Sequence, residues 1–445
     1  MNHARTRIFA HPTRRGLFGL AAGCLAAPFS AKARDQTGEL AAQLRSGATL
    51  GGAARNIGGA LRLPPGVIAI RSLELPPGAR LIGAPSGTTL KLIGPGPLLY
   101  AAGSSGVTLE SIIFDGGDNM VEAKRGLLDF EDAAGLSIRG CGIKNSSGHG
   151  VNLTRCGGVF AQNRIEHVQG AGFHALDGLG FDIDGNHISD CGDNGVMVWT
   201  SQAGRYEGSR IRNNIIEDVH NISGGDGPYG NGVSIWGSGS IRVENNRIYR
   251  CAYTAVRNNA GCDILVIGND CKGFGEKAMY AEFGAKRATF RDNKIFDAGG
   301  GIALANAEGG TDIGVVTGNT IANLRESRPD SEFGPSMFWM TGILAERNCE
   351  IAGNNIIGPA WIGVMLGGYR ENLRAEGNTI SGADYGVAFA TGLRVGDGVI
   401  ARNKITGSRK AAIVAMAGSR VLEGDLLAPG GGSYPRLWVE GNVAG

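Results

Sequence analysis

Five side chains in this 445-residue chain combine reactive types with a spacing that can bring them together: Arg257, Tyr280, Glu282, Glu346 and His174. A guanidinium that neutralises a carboxylate eases removal of the proton on the adjacent carbon, and a tyrosine or histidine can carry that proton. On this reading Arg257 is the neutralising group, and Tyr280 or His174 moves the proton, leading to elimination or epimerisation. Glu282 and Glu346 offer a different chemistry, the acid and base of an inverting glycoside hydrolase, whose carboxyls stand roughly 6.5–9.5 Å apart. A third reading is non-catalytic and leaves Arg257 and Glu282 as an exposed ion pair worth about 0–1 kcal/mol. Trp199 and Trp236 are candidates for stacking on sugar rings, and Asp226 and Arg370 for polar contacts to the same ligand.

A repeat must position these groups. Asn-x-Ile or a close variant begins at Asn163, Asn186, Asn213, Asn246, Asn269, Asn293, Asn319, Asn354, Asn378 and Asn403, with a basal step near 23 residues and occasional insertions. A fixed period of that size marks a solenoid, in which each unit buries its apolar face only when neighbours stack on it. Apolar residues alternate over four or five positions between Gly, Asn and Asp, as in Gly232-Val233-Ser234-Ile235-Trp236, which selects strands over helices. Val233 and Ile235 are expected to point inward and Ser234 outward. The Asn residues suit tight corners and can bond one another from coil to coil; the 76 glycines fit the same corners.

One strand per coil then presents a line of outward side chains: Asn152, His174, Met197 with Trp199, Ser234 with Trp236, Arg257, Tyr280 with Glu282, Ala303, Leu344 with Glu346, Met365 and Ala388. Coils stack ~4.8 Å apart, so Arg257 is expected beside Tyr280 or Glu282, and Glu282 and Glu346 two coils apart. Insertions at His220–Tyr229 and Arg325–Met340 are expected to rim this face, and a third, Ser201–Gly208, follows the strand bearing Trp199. Gly148-His149-Gly150 and Gly224-Gly225-Asp226-Gly227 are read as an ordinary turn and a flexible loop rather than a catalytic histidine and a calcium site. A helix near Glu39 to Arg45 is expected to cap the N-terminal end, because an open end coil templates aggregation.

Residues 1 to 33 contain no Asp or Glu. Arg14-Arg15 precede a mild apolar run and an Ala31-Lys32-Ala33 cleavage motif, which together read as a twin-arginine export signal cut after Ala33. That assigns 1–33 to a signal peptide, 34–60 to a cap and 61–445 to one elongated domain of roughly a dozen coils, located in the periplasm, with the twin-arginine translocase as partner during export. Removing five of the 43 basic residues leaves 38 against 41 acidic ones, a formal charge of −3. A nucleic-acid partner, which needs a basic stripe, is therefore not expected. No stretch is long and apolar enough to span a bilayer. Seven of the eight cysteines follow the leader without a C-x-x-C pair, so no metal centre is expected. Cys251 and Cys271 lie about one coil apart and can be considered for a disulfide, although buried reduced thiols are the favoured reading. No cofactor motif is legible.

The blocks LPPGVIAI, LPPGARLIGAPSGTTL, GHGVNL, CAYTAVRNN, GEKAMYAEF and the repeated GNTI resemble pectate-lyase-like right-handed parallel β-helix proteins. With the Arg-Arg leader the chain is similar, more narrowly, to the twin-arginine-translocated β-helix repeat proteins of Gram-negative bacteria. The resemblance implies an all-β fold, a right-handed parallel β-helix, with export and action on a polysaccharide of acidic character. The Asp-Pro-His-Glu run of mannuronan epimerases and the Asn-Thr-Asp of polygalacturonases are absent.

Overall fold

The computed structural model describes residues 35–46, 55–57, 59–117, 119–122, 124–225, 227–305, 314–326, 340–391 and 397–445. Arg14, Arg15, Ala33 and Asp226 lie outside the described residues, as do the side chain of Arg370 and most of the Arg325–Met340 insertion.

Short strands alternate with tight corners, and nearly every strand pairs in parallel with the one a coil further along. On one face the register runs Asp129↔Asn152↔His174↔Met197↔Ser234↔Arg257↔Tyr280↔Ala303↔Leu344↔Met365↔Ala388 without a slip at these positions. Extended at both ends, the line runs from Glu74 to Val414 and holds fourteen residues, one per coil. The inward residues of each strand meet in one continuous apolar core that runs the length of the stack, with Phe114, Phe130, Phe160, Phe173, Phe274, Phe290 and Phe389 fully buried in it. Alternation is thus the cause of the architecture, since only every second side chain enters the core.

The corner asparagines form a ladder. Asn246 shows the pattern: its backbone N–H and its side-chain Nδ2 both donate to Asn269 Oδ1, at 2.9 and 3.0 Å, and Nδ2 also donates to Ile211 O at 2.9 Å. The same set recurs at Asn163, Asn186, Asn214, Asn269, Asn293, Asn319, Asn354, Asn378 and Asn403, ending on Asn442. Two details differ from the sequence reading. In Asn213-Asn214 the ladder uses the second residue, because Asn213 turns the corner with a left-handed backbone at φ 56°. Asn442 adds a rung that its Asn-Val-Ala context concealed.

The N-terminal helix, Thr37–Ser46, seats Leu40 in the core and closes that end. The first parallel pairing begins with the strand Ala60–Arg62. At the other end Leu426, Leu427 and Tyr434 pack against the core. Among the described residues no helix is long and apolar enough to cross a membrane. Among the described residues all seven cysteines are unpaired and buried. A Cys251–Cys271 disulfide does not form, because Cys251 pairs in register with Phe274 and Cys271 with Ile248, placing the two thiols in different columns.

The outward line is not solvent-exposed as alternation alone implies. In the C-terminal half, Ala303, Leu344, Met365, Ala388 and Val414 form a second buried apolar cluster with Tyr280, with Trp361 and Tyr385 packed against it. In the middle, Ser234, Arg257 and Glu282 are buried polar groups.

Candidate functional site

The strands Val256–Asn259 and Asp270–Glu282 build the centre of the outward line. Arg257 faces Tyr280 in register, and Asn259 faces Glu282. The guanidinium donates from Nε to Glu282 Oε1 at 2.7 Å and from Nη1 to Glu276 Oε2 at 2.7 Å. Its Cζ lies 4.9 Å from the Tyr280 ring centroid, and Lys277 Nζ lies 5.4 Å from the same ring. Arg257 is 5 % exposed and Glu282 2 %, so the pair is buried rather than the exposed pair of the non-catalytic reading. A cap explains the difference. Gly227, in the His220–Tyr229 insertion, packs directly on the guanidinium, where a Cβ would stand 2.3 Å from Arg257 Cζ.

Burial sets the proton affinities of this cluster. It pulls the Lys277 ammonium below the usual lysine range, with Glu276 opposing and Arg257 assisting. The Tyr280 phenol is pushed well above its ordinary value, first by burial and then by Glu282 and Glu276. Burial also works against the charged Arg257, but Glu276 and Glu282 outweigh it and hold the guanidinium charged. The site therefore sets an amine shifted toward its neutral form beside a phenol that keeps its proton. Lys277 escapes a reading by alternation because the pairing register shifts between Phe274 and Lys277. Its signal is compositional: a lysine within the GEKAMYAEF block.

Glu346 lies two coils from Glu282, half-buried at a register irregularity between Ala345 and Arg347, and its charge reaches Tyr280.

His174 belongs elsewhere on the line. It is four coils from Tyr280, roughly 19 Å at ~4.8 Å per coil, too far to share one reacting carbon with it. Asp129 Oδ2 accepts from Asn152 Nδ2 at 3.1 Å, which turns Asn152 Oδ1 toward His174 Nδ1 at 2.8 Å. Nδ1 must then carry the ring proton and Nε2 is left as an acceptor. Burial, reinforced by His149, lowers the imidazole pKa to about 3, so the ring is neutral. His149 sits 4.9 Å away between ring centroids and accepts the Ala171 N–H at Nδ1, 2.9 Å; it opens the strand His149–Thr154 rather than lying in the turn that the sequence suggested.

Trp199 and Trp236 pair in register on adjacent coils, with centroids 6.1 Å apart, and Phe283 continues the row at 6.4 Å from Trp236. Trp236 and Phe283 are exposed at 42 % and 54 %. Tyr229 of the insertion stacks on Trp199 at 6.4 Å and 23° between planes, and Trp199 Nε1 donates to Ser234 Oγ at 3.0 Å. No group of His, Cys, Asp and Glu able to hold a metal occurs among the described residues.

The family model described as a right handed beta helix region matches residues 125–227 and 207–337. The fold is a right-handed parallel β-helix. A comparison of the sequence with curated proteins finds no match. Among solved structures, the A-module of mannuronan C-5 epimerase AlgE4 from Azotobacter vinelandii is similar over 73 % of this chain and 90 % of that one, at 19 % identity and a TM-score of 0.55. The A-module of AlgE6 from the same organism is similar over 93 % and 96 %, at 17 % identity and a TM-score of 0.50. At such identities the likeness is one of fold. On this β-helix the charged cluster occupies mid-stack, with a row of aromatic rings beside it.

Proposed function

We propose that this β-helix protein binds and modifies a uronate-containing polysaccharide by moving the proton at C5, as a C5-epimerase or a β-eliminating lyase. The observation that supports this is the pairing of Lys277 and Tyr280 in one buried cluster with Arg257, beside the aromatic row. Lys277, shifted toward its neutral form, accepts the C5 proton. Tyr280 delivers a proton either to the opposite face of C5, which inverts the sugar, or to the departing glycosidic oxygen, which cleaves the chain. Arg257 already holds two carboxylates, so it meets the uronate carboxylate by exchange with Glu276, the partner with more solvent access, 16 % against 2 % for Glu282. The epimerase modules act, by name, on mannuronan; because that likeness is of fold alone, the uronate assignment here rests on the cluster.

The Arg-Arg leader supports export by the twin-arginine pathway and a periplasmic site of action, as part of the same proposal. Replacing both leader arginines, Arg14→Lys with Arg15→Lys, tests it. Retention of that double variant in the cytoplasm would support the export reading, and unchanged export would refute it.

The experiment on activity is incubation of the mature protein with alginate and pectate, reading the ultraviolet absorbance of unsaturated uronates, the NMR of the sugar protons and the reducing ends. Epimerised or unsaturated product, lost in Lys277→Met and Tyr280→Phe, is the expected result. Reducing ends without unsaturation would replace the proposal with hydrolysis by Glu282 and Glu346. Binding without product would leave a non-catalytic role, in which Arg257 only holds its two carboxylates.

A further inference from the structure

The proton transfer proposed for Lys277 and Tyr280 leaves one conspicuous group unused. His174 Nε2 is a buried acceptor with no hydrogen-bond partner. Buried polar atoms are nearly always paired, and an exception calls for a physical account. Its orientation is imposed: Asp129 accepts from Gly126 N at 2.9 Å and from Arg125 Nη2 at 3.1 Å, fixing the carboxylate that orients Asn152, which in turn fixes the ring. The His174 ring lies between His149 and the perpendicular ring of Trp199, whose centroid is 6.2 Å away. Trp199 begins the aromatic row that continues through Trp236 to Phe283, the residue next to Glu282.

We propose that His174 and Trp199 form a second sugar subsite, separate from the Lys277–Tyr280 cluster, and that the ligand is an acidic oligosaccharide lying along the solenoid axis and touching both. This rests on the polysaccharide reading above and deepens it. In the subsite a sugar ring stacks on Trp199 in the position Tyr229 holds in this structure, and one of its hydroxyls donates to His174 Nε2. Trp236 and Phe283 carry the intervening rings. The register separates His174 from Arg257 by three coils and from Tyr280 by four, roughly 14 and 19 Å at ~4.8 Å per coil. A disaccharide cannot bridge that gap, whereas a hexasaccharide can. Loosening Tyr229 also loosens the insertion that places Gly227 on Arg257, so filling the subsite favours access to the cluster.

The test is calorimetric titration of the full mature protein with disaccharides and hexasaccharides prepared from alginate and from pectate, comparing wild type, His174→Asn and Lys277→Met. Asn at 174 keeps a donor toward Asn152 while withdrawing the acceptor from the Nε2 position, because its own amide oxygen is attached one bond nearer the backbone. The hexasaccharide is expected to weaken about tenfold in each variant, the loss of one good contact, and a disaccharide to respond to one variant at most. Trp199→Leu, with unchanged circular dichroism, should reproduce the His174→Asn pattern. A disaccharide weakened by both variants, or a hexasaccharide indifferent to His174→Asn, overturns the separate subsite while leaving the polysaccharide reading in place. Wild type that binds neither length overturns both.

Discussion

Acidification provides a direct measure of how His174 is held. The unfolded imidazole takes up its proton near 6.5, while burial beside His149 delays uptake in the folded protein until about 3. Between those values the unfolded state binds more protons, so stability falls as pH falls, with a slope of up to about 1.4 kcal/mol per pH unit for this one group. From neutrality to about pH 4 the loss attributable to His174 is roughly 3 kcal/mol. His174→Asn cannot protonate and lacks this slope. Its urea-unfolding free energy, followed by circular dichroism, should therefore gain on that of wild type by roughly 3 kcal/mol as the pH is lowered over that range. His149, also depressed by burial, is present in both proteins and largely cancels. NMR titration of the His174 ring supplies the site-specific check. A native His174 that titrates near 6.5, or a stability difference that does not change with pH, would refute the assigned tautomer and the buried neutral ring together.

Other substitutions separate the roles of the central groups. Glu282→Gln should destabilise by about 3–5 kcal/mol in urea unfolding, because it leaves the buried Arg257 short of a counter-charge. Asn319→Ala should cost about 1–3 kcal/mol through orphaned partners, and speed amide exchange at Asn293. Gly227→Ala meets both a φ of 107° and the Arg257 guanidinium, so it should displace the insertion and change Trp199 fluorescence through Tyr229. The seven buried thiols should react with an aromatic disulfide reagent only on unfolding.

Much of this architecture is legible in the sequence because its causes are local. Alternation in Gly232 to Trp236 gives the face of every residue, and a period of one coil converts position into neighbourhood, so Arg257 beside Tyr280 follows from spacing alone. What alternation lacks is any account of what lies over the outward face. Arg257 and Glu282 look solvent-facing until Gly227 is seen on the guanidinium, and that contact comes from an insertion outside the repeat. Lys277 is hidden for a related reason, a register shift that breaks the period-two rule at the residue of interest. The pairing of His174 with Tyr280 as interchangeable proton carriers fails on distance, since residues of one outward line share a direction without sharing a site.

The asparagine ladder has a direction. In every rung the N–H groups of one coil donate to the side-chain oxygen of the next coil in sequence, from Cys141 N onto Asn163 Oδ1 through to Asn403 onto Asn442. Each completed coil therefore ends with donors that only its successor can satisfy. For a chain made from its N-terminus this is a template that recruits the next coil as it emerges, a vectorial order of assembly. A chain stopped between two rungs would carry its unmet donors at the open end, next to an exposed cross-section of the core. Growth of the ladder is completed only at Asn442, in the last coil.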